Sequence, residues 1–200
     1  AFTTHAAHAL RTPLAGIDAQ LAIALKEAPE SLRPRLTRTR EAATRLSRVM
    51  QALLTMFRSG SEPQRQLIDV ADLLPTQAFG ELQIDIQAER SVSGDPDLLA
   101  AVLFNLLDNA QRHQARQVQL SVTQADGMNR LRLQDDGEGC LPEKLQSLRA
   151  ALARQDYGAD GSSKGLGLVL ADLVVRAHGR HMTLPAVESG FCVELSWPDA

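Results

Sequence analysis

The first third of the chain carries apolar residues at the spacing of amphipathic helices. From residue 2 to about 27 apolar side chains recur every three or four positions, and the same period returns after residues 27–31 and runs to about 58. The repeating residues are Leu10, Leu14, Ile17, Leu21, Leu25, Leu36, Leu46, Val49, Met50, Leu53 and Phe57. The pattern predicts two long helices that form an antiparallel hairpin. Because a lone hairpin leaves an apolar seam open, we expect a second copy to complete a four-helix bundle, which makes the protein a homodimer.

A different pattern follows the small, polar and helix-breaking stretch at 59–65, which we interpret as a linker. Short alternations of apolar and polar residues, typical of strands, interleave with helical periods. The alternations cover 66–70, 82–86, 117–123, 130–134, 181–184 and 191–196, and the helical runs cover 96–113, 143–153 and 166–178. This mixture predicts an α+β fold with one sheet faced by helices. We therefore expect a hairpin at 1–58, a linker at 59–65 and a compact α/β sandwich at 66–200.

Composition narrows the classes of protein that fit this pattern. The chain has 21 basic and 24 acidic residues, a formal net charge of −3, which argues against nucleic-acid binding. No stretch approaches about 18 apolar residues and no signal-peptide pattern opens the chain, so we expect a soluble protein. Cys140 and Cys192 are the only cysteines and fit neither a disulfide framework nor a metal-ligand spacing. We predict that both are small core residues.

The first string with candidate chemistry is His8-Ala-Leu-Arg-Thr-Pro-Leu14, within the first predicted helix. His8 and Thr12 are one helical turn apart and share a face, whereas Leu14 belongs to the apolar seam. Histidine titrates near pH 6.5 in peptides, so much of an exposed imidazole is neutral at pH 7 and offers a nitrogen lone pair to phosphorus. A solvated surface histidine is the alternative for His8 taken alone.

Asparagines recur at helical spacing in the run 96–113. Asn105 and Asn109 are four residues apart, so their amide oxygens share one helix face. Oxygen ligands suit Mg²⁺, which takes phosphate and water for its other positions. Arg112 and His113 would then supply hydrogen-bond donors near a phosphate tail. An amphipathic helix whose polar face happens to carry asparagines is the alternative interpretation.

Two glycine-rich strings follow. Asp135-Asp-Gly-Glu-Gly139 comes straight after the predicted strand at 130–134, and Lys164-Gly-Leu-Gly-Leu168 opens a predicted helix. Glycines after a strand let the backbone approach a ligand, and a buried carboxylate there can accept a hydrogen bond from an exocyclic amine such as that of adenine. The amides at a helix N-terminus can hold phosphate oxygens. Either string alone is a common loop signal, but their order behind the asparagine-rich helix favours a nucleotide site.

The four strings together resemble the H box, the N box and the two glycine boxes of the catalytic core of two-component sensor histidine kinases, in that family's order. The resemblance covers essentially the whole chain. It implies a dimerisation and histidine-phosphotransfer hairpin of the HisKA type, followed by a Bergerat-type ATP-binding domain. It also implies ATP and Mg²⁺ as cofactors, with Asn109 and Asn105 as the magnesium ligands and Arg112 and His113 near the phosphates.

The same resemblance assigns roles in the glycine boxes and in the reaction. Asp135 matches the aspartate that recognises adenine in this family. The other implied nucleotide-binding residues are Gly137, Gly139, Gly165, Leu166 and Gly167. His8 matches the phosphorylated histidine, which passes its phosphoryl group to an aspartate of a response regulator. The expected partners are therefore a second copy of the chain and a receiver domain. We also expect the sequence to be a cytoplasmic fragment of an inner-membrane sensor protein whose input region is left out.

The chain departs from the family pattern at three places. Ala9 stands where the family usually has an acid directly after the histidine, Ser163 replaces the first glycine of the second box, and the span before Gly165 lacks paired phenylalanines. Ala9 keeps two alternatives open, a dimeric pseudokinase-like scaffold and a core biased toward dephosphorylating its regulator, with Thr12 positioning a water. A relative of the chaperone and mismatch-repair ATPases is a further alternative, which the H-box hairpin disfavours.

Overall fold

The structure is a computed structural model that describes residues 2–58, 65–74, 79, 82–88, 91–155, 166–177, 179 and 181–198. Within these ranges the side chains of 2–12, 45, 48, 49, 51–58, 88 and 166 are not described. The chain forms two compact units, Ala1–Ser61 and Glu62–Ala200. No helix in the described ranges is both long enough and apolar enough to cross a membrane.

The first unit is a helical hairpin. Helix α1 spans Phe2–Glu27 and helix α2 spans Arg33–Arg58, each with 26 residues. A bidentate ion pair joins them, in which Arg40 donates from Nε to Asp18 Oδ1 over 2.8 Å and from Nη2 to Oδ2 over 3.1 Å. The hydrogen bonds and charge of Arg40 lower the pKa of the Asp18 carboxyl group. The hairpin predicted from the apolar period is therefore confirmed.

The second unit holds seven strands and three longer helices within its described residues. Their bounds are β1 Gln66–Ile68, β2 Gln83–Ala88, β3 Val92–Gly94, α3 Pro96–Arg112, β4 Gln117–Ala125, β5 Met128–Asp135, α4 Pro142–Arg154, α5 Leu166–Ala177, β6 His181–Thr183 and β7 Cys192–Pro198. A short 3₁₀ helix, Val70–Leu73, follows β1. The predicted α+β class is confirmed, and each predicted strand and helix is present with its ends within about two residues.

The main sheet of the second unit has the strand order β2-β4-β5-β7-β6. Strands β2 and β4 run parallel, and the other neighbours run antiparallel. Asp126 and Gly127 both have positive φ, at 54° and 68°, which gives the two-residue turn that joins β4 to β5. Alternate residues of the central strands are buried on one face, as period-two patterning requires. These buried residues are Val118, Leu120, Val122, Leu131, Leu133, Val193, Leu195 and Trp197.

Two features differ from the sequence-based expectations. Strand β3 is not among the predicted strands, because Val92 is its one large apolar residue and Ser93 and Gly94 follow, so its sequence shows no alternation. It pairs with β1 in a separate two-stranded sheet. The Trp197 indole ties this small sheet to β7 by donating to the carbonyl oxygen of Ser93 over 2.6 Å. The core assignment is confirmed for Cys192, which is buried, but is wrong for Cys140, which is half-buried in the loop after β5.

Replacing the residue that caps α3 is expected to destabilise the second unit. Asp95 Oδ1 accepts a hydrogen bond from the Leu98 N–H over 3.1 Å, and Pro96 opens the helix. Asp95→Ala should lower the free energy of unfolding by about 1 kcal/mol, the usual loss for a helix cap. Urea unfolding followed by the fluorescence of Trp197, the only tryptophan, measures this loss. Asp95→Asn keeps an acceptor oxygen and should stay close to wild type; equal losses in both variants would contradict the capping role.

Candidate nucleotide-binding site

The site is built around a buried carboxylate at the end of β5. Asp135 is 4% exposed, and its Oδ1 accepts hydrogen bonds from the N–H groups of Gly137 (2.9 Å) and Phe191 (3.2 Å). Burial raises the pKa of Asp135, and the two backbone hydrogen bonds oppose that rise only in part. Within the described part of the chain Oδ2 has no hydrogen-bond partner. The carboxylate is thus oriented by one oxygen while the other can accept a hydrogen bond from a ligand.

The next residue anchors the loop that carries this carboxylate. Asp136 Oδ1 accepts from the N–H groups of Arg116 (2.7 Å) and Gln117 (2.8 Å), at the start of β4. Both hydrogen bonds lower the pKa of the Asp136 carboxyl group, and the bond from the Gln117 N–H lowers it most. Further along the loop, the Glu138 N–H donates to the carbonyl oxygen of His113 over 2.9 Å. The loop is therefore fastened both to the sheet and to the C-terminal end of α3.

Two glycines of the loop lie where no side chain fits. A Cβ at Gly137 would lie 2.5 Å from the carbonyl oxygen of His113. Gly139 has a φ of +71°, and a Cβ there would lie 2.7 Å from the carbonyl oxygen of Gly190. Contacts this short require the backbone itself to move. The glycines of the first string are thus needed for close packing between the loop, α3 and the segment before β7.

Helix α3 brings Asn105 close to Gly167, a described residue of the second glycine-rich string. Asn105 is only 2% exposed, and its Nδ2 donates to the carbonyl oxygen of Ala101 over 2.6 Å. A Cβ at Gly167, in the first turn of α5, would lie 3.6 Å from the Asn105 Cβ, so the two helices are in close contact here. Asn109, one turn further along α3, is half-buried. No group of three or more His, Cys, Asp or Glu side chains suited to a metal occurs among the described residues.

The two residues assigned to the phosphates stand at the C-terminal end of α3. Arg112 Nε pairs with Asp108 Oδ2 at 3.2 Å, on the partly exposed side of the helix. His113 caps the helix, and its electrostatic interaction with Asp135 opposes, in smaller part, the burial that raises the pKa of that carboxyl group. The structure therefore places His113 beside the buried carboxylate and Arg112 in a local ion pair. Contacts of either residue with phosphate stay a prediction.

Four residues assigned from the sequence lie outside the described residues, either entirely or in their side chains. His8 and Thr12 lie within α1, but their side chains are outside the described residues. Gly165 is itself outside them, and Leu166 begins α5 without a described side chain. The roles of these residues remain predictions.

Sequence reasoning missed three contributors to the site. Gly190 has a φ of +73° and Phe191 donates to Asp135 Oδ1, although both residues are more than fifty positions further along the chain. The only sequence signal at this point is a single glycine before a strand, which is too common to indicate a site. Asp136 lies within the first glycine-rich string, but nothing in the sequence indicates its hydrogen bonds to the start of β4.

Comparison with known proteins agrees with this arrangement. The family model "His Kinase A (phospho-acceptor) domain" matches residues 1–62, and "Histidine kinase-, DNA gyrase B-, and HSP90-like ATPase" matches residues 94–200. The Acinetobacter baumannii histidine kinase AdeS has a similar structure, with a TM-score of 0.63, 18% identity, and coverage of 96% of this chain and 97% of that chain. This likeness shows the fold.

Curated relatives point the same way. Sensor protein QseC of Escherichia coli O157:H7 is 29% identical over 98% of this chain and 47% of its own length. Sensor protein kinase CarS of Pseudomonas aeruginosa is 30% identical over 88% of this chain and 41% of its own length. The chain thus spans about half the length of the curated relatives it matches. With family models matching both units, the chain belongs to the sensor histidine kinase family.

Proposed function

We propose that this chain is an ATP:protein-histidine phosphotransferase core, in which His8 takes the γ-phosphoryl group of ATP and passes it to an aspartate of a response regulator. The observation that carries the proposal is the buried Asp135 carboxylate, held by backbone N–H groups beside the helix that bears Asn105 and Asn109. Such a carboxylate is suited to an N–H donor on a ligand, and adenine offers one in its exocyclic amine.

The donor set of the described residues also fits a magnesium nucleotide. Asn109 offers an amide oxygen of the kind that Mg²⁺ accepts, and its position is half-buried rather than closed off. Asn105 is the second proposed ligand. Bound Mg²⁺ would neutralise charge on the β- and γ-phosphates. The backbone N–H groups of residues Gly165–Gly167 are the proposed hydrogen-bond donors to the phosphate oxygens.

The proposed chemistry asks little covalent work of the protein beyond the nucleophile. An imidazole nitrogen of His8 bonds to the γ-phosphorus while the bond to the leaving oxygen of ADP breaks, and the ring proton is lost to solvent or a base. Most of the acceleration then comes from positioning and charge stabilisation. Thr12 is the proposed residue for orienting a water if the same core also hydrolyses the phosphoaspartate of its regulator.

A homodimer is proposed on the exposure of apolar side chains in the hairpin. Ile17 is 47% exposed, Ile23 49% and Leu46 43% in the single chain. A second hairpin could cover these side chains, which water would otherwise contact.

The domain limits predicted above, 1–58, 59–65 and 66–200, are kept as part of this proposal. The curated relatives are named as sensor proteins, and the chain spans about half their length, which supports a longer sensor. We also propose that this sensor lies in the inner membrane.

Incubation with γ-labelled ATP and Mg²⁺ tests the proposed function. The expected result is a label on the protein that is stable to base and labile to acid, as a phosphohistidine is. ATP binding without any label would instead favour the pseudokinase-like scaffold that Ala9 suggests. Addition of a receiver domain should move the label onto its aspartate. If labelled inorganic phosphate forms faster than labelled regulator accumulates, the core is biased toward dephosphorylation.

Removing the negative charge of Asp135 is expected to weaken nucleotide binding. Asp135→Asn turns a charge-assisted acceptor into a neutral one, so affinity for ATP should fall roughly tenfold to a hundredfold. Titration with a fluorescent ATP analogue measures the change. Asp126→Asn removes the same charge from an exposed turn and should leave affinity unaltered. Equal affinities in wild type and Asp135→Asn would mean that adenine binds elsewhere.

A further inference from the structure

The first residues before β7 are bound to Asp135 through both its backbone and its side chain. The Asp135 N–H donates to the Phe191 carbonyl oxygen over 3.0 Å, which extends the ladder beyond the last paired residues, Gln134 and Cys192. In an antiparallel pair of this kind the two residues usually exchange both bonds. Here the Phe191 N–H donates to Asp135 Oδ1. The Phe191 N–H, which in a regular antiparallel pair would donate to the backbone carbonyl oxygen of Asp135, thus orients the carboxylate instead.

The backbone just before Phe191 fits against Asp135 without room for a side chain. Gly190 has a φ of +73°, and a Cβ built there would overlap the carbonyl oxygen of Asp135 and lie 2.6 Å from its carbonyl carbon. On the other side, the carbonyl oxygen of Gly190 lies where a Cβ of Gly139 would meet it at 2.7 Å. Gly190 is therefore enclosed between the first and last residues of the first glycine-rich string.

These contacts divide the tasks of the two carboxylate oxygens. Oδ1 accepts two backbone N–H groups, one from Gly137 in its own loop and one from Phe191 across the sheet. Two bonds to one oxygen from different directions restrict rotation of the carboxylate and leave Oδ2 as the acceptor for a ligand. A fixed acceptor favours a base with an N–H donor at that point and disfavours one that presents a carbonyl oxygen there.

We infer that Gly190 and Phe191 are positioning residues that hold the Asp135 carboxylate and thereby set the preference for an adenine base. The inference rests on the proposed function, because it concerns the same nucleotide site. It adds a segment more than fifty residues beyond Asp135, near the C-terminal end of the second unit, to the determinants of base selectivity.

A simple strain effect is the competing explanation, since alanine at a positive φ destabilises any backbone. The chain offers a matched control in Gly127, whose φ is +68° and whose Cβ position has no atom within 4 Å. Gly190→Ala and Gly127→Ala thus impose a similar backbone strain, but only the first disturbs Asp135. Trp197 fluorescence reports whether each variant is folded.

The test measures dissociation constants of the full chain for ATP and inosine triphosphate, whose base has a carbonyl oxygen in place of the amine. Wild type and Gly127→Ala should prefer ATP. In Gly190→Ala the ATP constant should rise on the order of tenfold with a smaller change for inosine triphosphate, so that the preference is lost. A retained preference, or an equal loss for both nucleotides, would overturn the inference. Equal binding of both by wild type would overturn the proposed adenine role of Asp135 as well.

Two further measurements keep the inference testable if Gly190→Ala fails to fold. Phe191→Pro removes the N–H that binds Oδ1, whereas Phe191→Ala removes only the side chain, so the proline variant alone should lose the preference for ATP. A double-mutant cycle then measures whether the effect of the Phe191→Pro substitution depends on the Asp135 carboxylate. In an Asp135→Asn background the proline substitution should change ATP affinity by less than about twofold, since the group that it positions is already impaired. Additive losses would show that the segment acts elsewhere.

Discussion

Substitution of His8 by glutamine should abolish acid-labile labelling from γ-labelled ATP and leave ATP affinity nearly unchanged. Glutamine keeps a polar side chain of similar reach but has no nitrogen lone pair that can attack phosphorus. His8 lies in the unit Ala1–Ser61, whereas Asp135 and the glycine loop lie in Glu62–Ala200. Loss of the nucleophile should therefore abolish labelling without lowering ATP affinity.

Labelling on a gel and titration with a fluorescent nucleotide measure the two quantities separately. His181→Gln, at an exposed position of β6, is the matched control and should keep the label. Acid-labile label that persists in His8→Gln would assign the phosphorylated residue elsewhere. A parallel loss of ATP affinity would show that the substitution disturbs more than the nucleophile.

Loss of the Asn109 side chain is expected to have the second largest effect. If its amide oxygen is a ligand of Mg²⁺, Asn109→Ala removes one of the two proposed protein ligands of the metal and leaves the phosphates less well oriented. Removal of one positioned electrostatic group typically costs about a hundredfold or more in rate. The autophosphorylation rate at saturating ATP should fall by that order, and the Mg²⁺ concentration needed for half-maximal rate should rise.

The matched control for Asn109 is Gln111→Ala on the same helix, because Gln111 is exposed to solvent. Its rate and Mg²⁺ dependence should equal those of wild type. An unchanged Mg²⁺ dependence in Asn109→Ala, with a normal rate, would remove this residue from the metal site. Asn105→Ala is a poorer probe, because Asn105 is buried and bonded to its own helix, so its loss also disturbs packing.

The long helices and the sheet could be predicted because their signals are local. Twenty-six residues of α1 repeat the same apolar period many times, and alternation along β4 and β5 marks their buried face directly. Strand β3 has the sequence Val-Ser-Gly, with one large apolar side chain, so no alternation marks it. Its place depends on pairing with β1 and on the bond from Trp197 to Ser93, both of which join distant parts of the chain.

The site could be predicted only as far as each residue stands in a recognisable string. Asp135 and its glycines were found because strand, carboxylate and glycine follow one another in sequence. Gly190 could not be predicted, because glycine is required there by the carbonyl oxygen of Asp135, which lies 55 positions earlier in the sequence (135 to 190). Periodicity also placed Asn105 and Asn109 on one face, but could not tell the buried residue from the half-buried one, since burial depends on the approach of α5.

Location of the phosphoryl group after incubation with ATP and Mg²⁺ is the most direct test of the proposed reaction. Tandem mass spectrometry under neutral or alkaline conditions, which preserve phosphohistidine, can assign the modified residue in the peptide that contains His5 and His8. We predict one phosphoryl group per modified chain, on a ring nitrogen of His8. A phosphoryl group on any other residue, or an unmodified chain despite bound ATP, would contradict the proposal.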